Sequence, residues 1–335
     1  MTDGSRQQRR KEAREQAKLG AKVLSAGLPP EPKKADVLAV ARVVATTIAD
    51  AANPRRASAA AALVHDLCEA SLRARPSGAV IACREGCSYC CHQFVGAVAP
   101  EVFLWASAIR ASREPGLDRA AVIARCVPLI GLDPKERVGL KLPCPVLVEG
   151  RCGAYAARPL VCRQTTSLDL QGCLEEFDGH NMAERIEVSS AHLAHAGTAH
   201  VVLLGALRTV GLPDAAYELS AALAIALRDP DSERRWLEGE PVFESLGNPV
   251  PVPPRVNFVP ARLSQLSRDL SMVRQFPVAA RQPYPQRRAV WLARARGESY
   301  RRAMIPRCER DPPNVCRYDT TRMRARHRVV ERALR

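Results

Sequence analysis

Ala57-Ser-Ala-Ala-Ala-Ala-Leu-Val-His-Asp-Leu-Cys-Glu-Ala-Ser-Leu-Arg-Ala74 carries its apolar residues at helical spacing and stops just before Pro76. The stretch upstream repeats the pattern. Ala35-Asp-Val-Leu-Ala-Val-Ala-Arg-Val-Val-Ala-Thr-Thr-Ile-Ala-Asp-Ala-Ala52 is periodic in the same way and ends at Asn53-Pro54. Reading outward, helices are expected over Glu101–Ser112, Asp118–Ile130, Ala183–Val210 and Asp214–Leu227, the last two parted by Gly211-Leu212-Pro213. The chain is 47% hydrophobic and only 4% aromatic. That balance suits packed helices better than sheets, which favour β-branched and aromatic side chains. The fold class expected is mainly α: a helical domain with an irregular cysteine-rich insert, a small β-hairpin and basic flexible ends. The hairpin is placed between Cys144 and Tyr155, where two short runs flank Glu149-Gly150.

At 335 residues the chain is long enough for a proper core. Its net charge of +15 is uneven. Residues 1–22 hold seven Lys or Arg against three acids, and 281–335 hold sixteen Arg against five acids. The 23–280 body is balanced at 27 of each sign. The expected organisation is a basic N-terminal arm (1–29), a helical cysteine-cluster domain (30–245), a Pro-rich linker (246–280) and an Arg-rich C-terminal segment (281–335). Basic ends of this kind attract nucleic acid, an acidic protein or anionic lipid, and 281–335 is the segment expected to do so. Lys supplies only seven of the 50 basic residues.

The N-terminus, with Arg9, Arg10, Lys11, Glu12 and Arg14, lacks the apolar stretch of a secretory signal. The longest uncharged run, Val188–Leu207, contains His192, His195 and His200, so no membrane span is expected. A cytoplasmic protein follows from this reading. In that compartment twelve cysteines point to metal binding or catalysis rather than disulfides.

Nine of the twelve lie in 83–173. The dense part reads Cys83-Arg-Glu-Gly-Cys87-Ser-Tyr-Cys90-Cys91, followed by Cys126, Cys144, Cys152, Cys162 and Cys173. A Cys-x-x-Cys turn such as 87–90 can aim two thiolates at one metal, and soft thiolates select zinc or iron–sulfur clusters. Adjacent Cys90 and Cys91 diverge, so they address different corners or one of them is a bystander.

The cluster resembles the CxxCxxCC family of zinc- or iron-chelating proteins, the YkgJ-like cysteine cluster proteins. Pro143-Cys144-Pro-Val-Leu-Val-Glu-Gly-Arg-Cys152-Gly-Ala-Tyr155 and Arg158-Pro159-Leu-Val-Cys162-Arg163 match its second block. The resemblance implies seven ligands: Cys83, Cys87, Cys90, Cys91, Cys144, Cys152 and Cys162. Cys173 joins them by proximity, although the first gap here is three residues where the family name implies two. Arg84, Arg151, Arg158 and Arg163 stand close enough in sequence to offset thiolate charge. The partner implied is a metal ion or cluster, the cofactor zinc or iron–sulfur, and the site structural or electron-carrying.

Two other readings remain beside it: an iron–sulfur redox or methyl-transfer enzyme, and a metal-folded nucleic-acid-associated module with basic arms. Cys83-x3-Cys87-x2-Cys90 also copies the motif of radical S-adenosylmethionine enzymes, but no strand–helix alternation follows it. Some flagellin lysine methylases resemble the cluster family too, yet no Gly-rich loop after a strand is present to seat a methyl donor. Cys68 and Cys126 read as buried small hydrophobes. His192, His195 and His200 share one arc of a helix and read as a polar helix seam, His92 as an extra ligand candidate, and Cys308 and Cys316 as unassigned.

Overall fold

Alanine-rich helices let their backbones approach closely, and the architecture follows from that. It is a computed structural model that describes residues 3–179 and 186–246. The chain begins with α1 (Asp3–Ala26), α2 (Lys34–Ala49) and α3 (Arg56–Ala74). Next come strand β1 (Gly96–Val98), α4 (Ala99–Ala111), α5 (Arg119–Cys126) and α6 (Pro134–Leu140). Strands β2 (Leu147–Val148) and β3 (Arg151–Cys152) precede α7 (Leu160–Gln164), α8 (Leu170–Asp178) and α9 (Ser190–Val210). Strand β4 (Ala216–Glu218), α10 (Leu219–Arg228) and α11 (Ser232–Leu237) complete the described part. The protein is therefore mainly α-helical, with two small two-stranded sheets among the described residues.

The core lies between α2, α3, α4, α9 and α10. Val37, Val40, Val44 and Ile48 of α2 meet Ala60, Val64 and Leu67 of α3 in one apolar cluster with Val202, Leu203 and Leu207 of α9. Helix α9 is long and apolar enough to cross a bilayer, but 61% of its apolar window is buried and it packs against α2, α3 and α7. It is the central helix of this body.

Local rules explain most boundaries. Asp118 caps α5 by accepting from the Ala121 N–H at 2.9 Å. Asp133 and Glu136 form a reciprocal capping box at α6, with Pro134 in its first turn. The Glu149-Gly150 turn takes φ values of +49° and +75°, as a two-residue type I′ hairpin requires, and it joins β2 to β3.

Two expected helices are shorter than their patterns. Asp214–Leu227 breaks into β4 and α10, because Ala216–Glu218 pairs antiparallel with Gly96–Val98. Glu218 then caps α10, its Oε2 accepting from the Ala221 N–H at 2.7 Å. In the described part of Ala183–Val210, from 186 onward, the helix starts at Ser190. Before it, the Leu168 N–H donates to Glu187 O and the Ser189 N–H to Thr166 O, both at 2.8 Å, which holds that stretch extended. Residues 183–185, the Pro-rich linker from 247 onward, the Arg-rich segment 281–335, Cys308 and Cys316 lie outside the described residues.

Candidate thiol site

Cys83, Cys87, Cys90 and Cys91 sit on the irregular chain between α3 and β1. Gly86 takes φ +84° in a turn closed by the Cys87 N–H donating to Arg84 O at 3.0 Å. A 3₁₀ turn at Tyr89–His92 follows. The Cys144 N–H donates to Cys91 O at 2.8 Å, which brings the hairpin segment against this loop. On the other side, the Ala82 N–H donates to Ser167 O at 3.0 Å and the Ser167 N–H to Cys83 Sγ at 3.2 Å. Cys152 lies on β3, Cys162 on α7 and Cys173 on α8. The eight cysteines thus come from a loop, a hairpin and two short helices, all with free thiols.

Their ionisation is opposed by the surroundings. Burial pushes the Cys144 and Cys162 thiols far above their ordinary range, with neighbouring thiols acting in the same direction. Cys90 is raised first by its interaction with the Cys91 thiol and then by burial. Burial also raises Cys83, Cys152 and Cys173. Nearby Arg158 counters this at Cys83, Cys90, Cys152 and Cys162, but more weakly than burial acts.

Among the described residues no group of three or more His, Cys, Asp or Glu side chains is placed to hold a metal ion. This overturns the zinc or iron–sulfur cofactor, the metal or cluster partner and the resemblance to the CxxCxxCC cluster proteins. It also removes support from all three functional readings that depended on the metal: the structural or electron-carrying site, the iron–sulfur redox or methyl-transfer enzyme, and the metal-folded nucleic-acid module. The physical reasons are visible in the side chains. The thiols come from four backbone segments, and those of Cys83, Cys90, Cys144, Cys152, Cys162 and Cys173 are raised against ionisation. Three of the arginines near the thiols also have partners elsewhere. Arg151 Nη1 lies 3.3 Å from Glu85 Oε1, buried Arg163 pairs with Glu69, and Arg158 stacks 4.1 Å from the Tyr155 ring centroid. The expectation of binding through 281–335 falls outside the described residues.

His92 Nδ1 lies 3.0 Å from Ser88 O and its ring meets Phe177 edge-on at 4.9 Å. The three α9 histidines go to different neighbours. His192 Nδ1 lies 2.9 Å from Ser189 Oγ, His195 is buried near the end of α3, and His200 influences the charge of Glu101.

Glu101 is a polar centre that sequence reading missed. It is 1% exposed, accepts from the Leu160 N–H at 2.7 Å, and stands 3.2 Å from His65 Nε2. Burial alone would push its carboxyl up, but His65, His200 and the Leu160 N–H together hold it below the usual carboxylate range. Glu101 therefore ties α3, α4 and α7 together beside Cys162. In sequence it is only an acid in the first turn of a helix, a position where acids are ordinary.

Comparison with family models, characterised proteins and solved structures gave no match to this chain. What the fold itself defines is a mainly α-helical protein with two small two-stranded sheets among the described residues.

Proposed function

We propose that the chain is a helical scaffold in which Cys83, Cys87, Cys90, Cys91, Cys144, Cys152, Cys162 and Cys173 form a structural junction. The observation that carries this reading is that burial raises Cys83, Cys144, Cys152, Cys162 and Cys173 against ionisation, while Cys90 is raised chiefly by its contact with the Cys91 thiol. A neutral thiol is a poor nucleophile but packs as a small polarisable hydrophobe with a weak donor. On this reading the segments 79–95 and 141–159 act as one cysteine-rich insert within a helical domain of 30–245, with the basic segment 1–29 laid against it. Free thiols persist in a reducing compartment, and we place the protein in the cytoplasm.

Alkylation of the native protein with iodoacetamide at neutral pH tests the junction. Cys144 and Cys162 should label at least about tenfold more slowly than in urea, because both access and thiolate fraction are low. Labelling of both at the unfolded rate would overturn the structural role and indicate activated thiols instead.

A further inference from the structure

The strongest surface feature of the described body lies on α1, away from the thiols. At about 100° per residue, Lys11, Arg14, Lys18 and Lys22 fall within about 80° of the helix circumference. All four are exposed, and no ion pair is recorded for any of them among the described residues. Glu12 and Glu15 are the acids beside them, and Glu12 accepts from Gln8 Nε2 at 2.8 Å. The opposite side of the helix is the docked side. Gly20 and Val23 are buried, and Leu19 and Leu24 pack on the core. At Gly20 the contact is so close that an added Cβ would stand 2.6 Å from Ala39 O. The helix is thus held by its apolar side with its cations facing outward.

We propose that this cationic face of α1 is a docking surface for an anionic lipid bilayer. Three observations favour that partner. First, residues 1–22 carry seven Lys or Arg against three acids, whereas 23–280 is balanced at 27 of each sign. Second, three of the four cations are Lys in a chain with seven Lys among 50 basic residues, and five of those seven lie in 11–34. Lys is a hydrated point charge suited to a diffuse, fluid headgroup surface, whereas Arg is the residue of bidentate phosphate and nucleic-acid contacts. Third, exposed Ala17 and Ala21 on the flank of the stripe are small, without the aromatic or large apolar anchors that a protein partner or stacked bases would use. Because the apolar side of α1 is already covered, attachment is electrostatic and superficial, without insertion.

Co-sedimentation of the full-length protein with vesicles is the test. Wild type should bind phosphatidylserine-rich vesicles at low salt, release them as salt rises, and ignore pure phosphatidylcholine. The full-length variant Lys11→Gln, Arg14→Gln, Lys18→Gln, Lys22→Gln should keep its helical circular dichroism, since Gln is a good helix former. Its vesicle affinity should fall at least about tenfold. Unchanged vesicle binding by the variant, no binding by wild type, or equal binding to neutral vesicles would overturn the proposal. So would a stripe that retains RNA or an acidic protein in preference to the vesicles. None of these outcomes bears on the thiol junction, which is tested separately by alkylation.

Discussion

Glu101 shows how one residue joins distant parts of the chain. Its carboxylate bridges His65 of α3 and the first N–H of α7, and it is held ionised in a buried site. Glu101→Gln keeps an acceptor but removes the charge and turns a second acceptor into a donor. The expected cost is about 2 kcal/mol at neutral pH, within the range for disrupting a buried charged hydrogen bond. The sign of its pH dependence follows from the lowered value. The stability Glu101 contributes is present above its unfolded value near 4.5 and is lost as pH falls through the folded one. Urea titrations at neutral pH and below pH 4.5 should show wild type losing part of this increment while Glu101→Gln does not. Equal acid sensitivity in the two proteins would count against an ionised Glu101. None of this was legible locally, because the partners stand 36 and 59 residues away.

Among the elements, α1 depends on a single small residue at its contact with α2. Gly20→Ala would gain roughly 0.5–1 kcal/mol of intrinsic helix preference. It would also set a methyl 2.6 Å from both Ala39 O and Val43 Cγ2. Overpacking against backbone costs about 1–3 kcal/mol, so net destabilisation is expected, with a lower urea midpoint as the readout. The start of α6 is a milder case. Asp133→Ala removes both side-chain contacts at its first turn, to the Lys135 and Glu136 N–H groups at 2.8 Å, and should cost about 1 kcal/mol. Here the chemistry was written in Asp133-Pro134-Lys135-Glu136, a local signal that helical periodicity over a short segment does not reveal. Periodicity likewise ran straight through Ala216–Glu218, since the pairing with β1 that makes it a strand comes from 120 residues away (Gly96↔Glu218, Ala97↔Tyr217, Val98↔Ala216).

At the scale of the whole molecule the buried thiols set an alkaline limit. Burial pushes Cys68 and Cys126 up to about 12 from an ordinary 9.0. Raised values mean that the folded state keeps protons the unfolded state gives up. Stability is therefore full below pH 9 and falls as pH rises towards 12. On the acid side His192, His195 and His200 are lowered by burial from 6.5, so stability declines as pH drops below that value. Buried Glu218 and Glu233 are raised and act in the opposite sense, which blunts the acid limb. Chemical denaturation across pH should give a plateau between about 6.5 and 9 with the steeper fall on the alkaline side. A midpoint unchanged from pH 8 to pH 11 would mean that these thiols ionise freely in the folded protein.

Whereas the basic N-terminal arm expected as a flexible end is the helix α1, the amino-acid sequence by itself determined the helical class, α2 and α3, the Glu149-Gly150 hairpin and the positions of the cysteines. Each of these rests on interactions within a few residues: apolar periodicity, caps and turn conformations. It left open what the cysteines do, and the expectation of a metal came from their spacing. Only the tertiary structure decided that Arg151 and Arg163 pair with Glu85 and Glu69, and that burial raises the Cys144 and Cys162 thiols. Protonation is set by burial and by the charges that arrive from distant elements, and spacing along the chain contains neither.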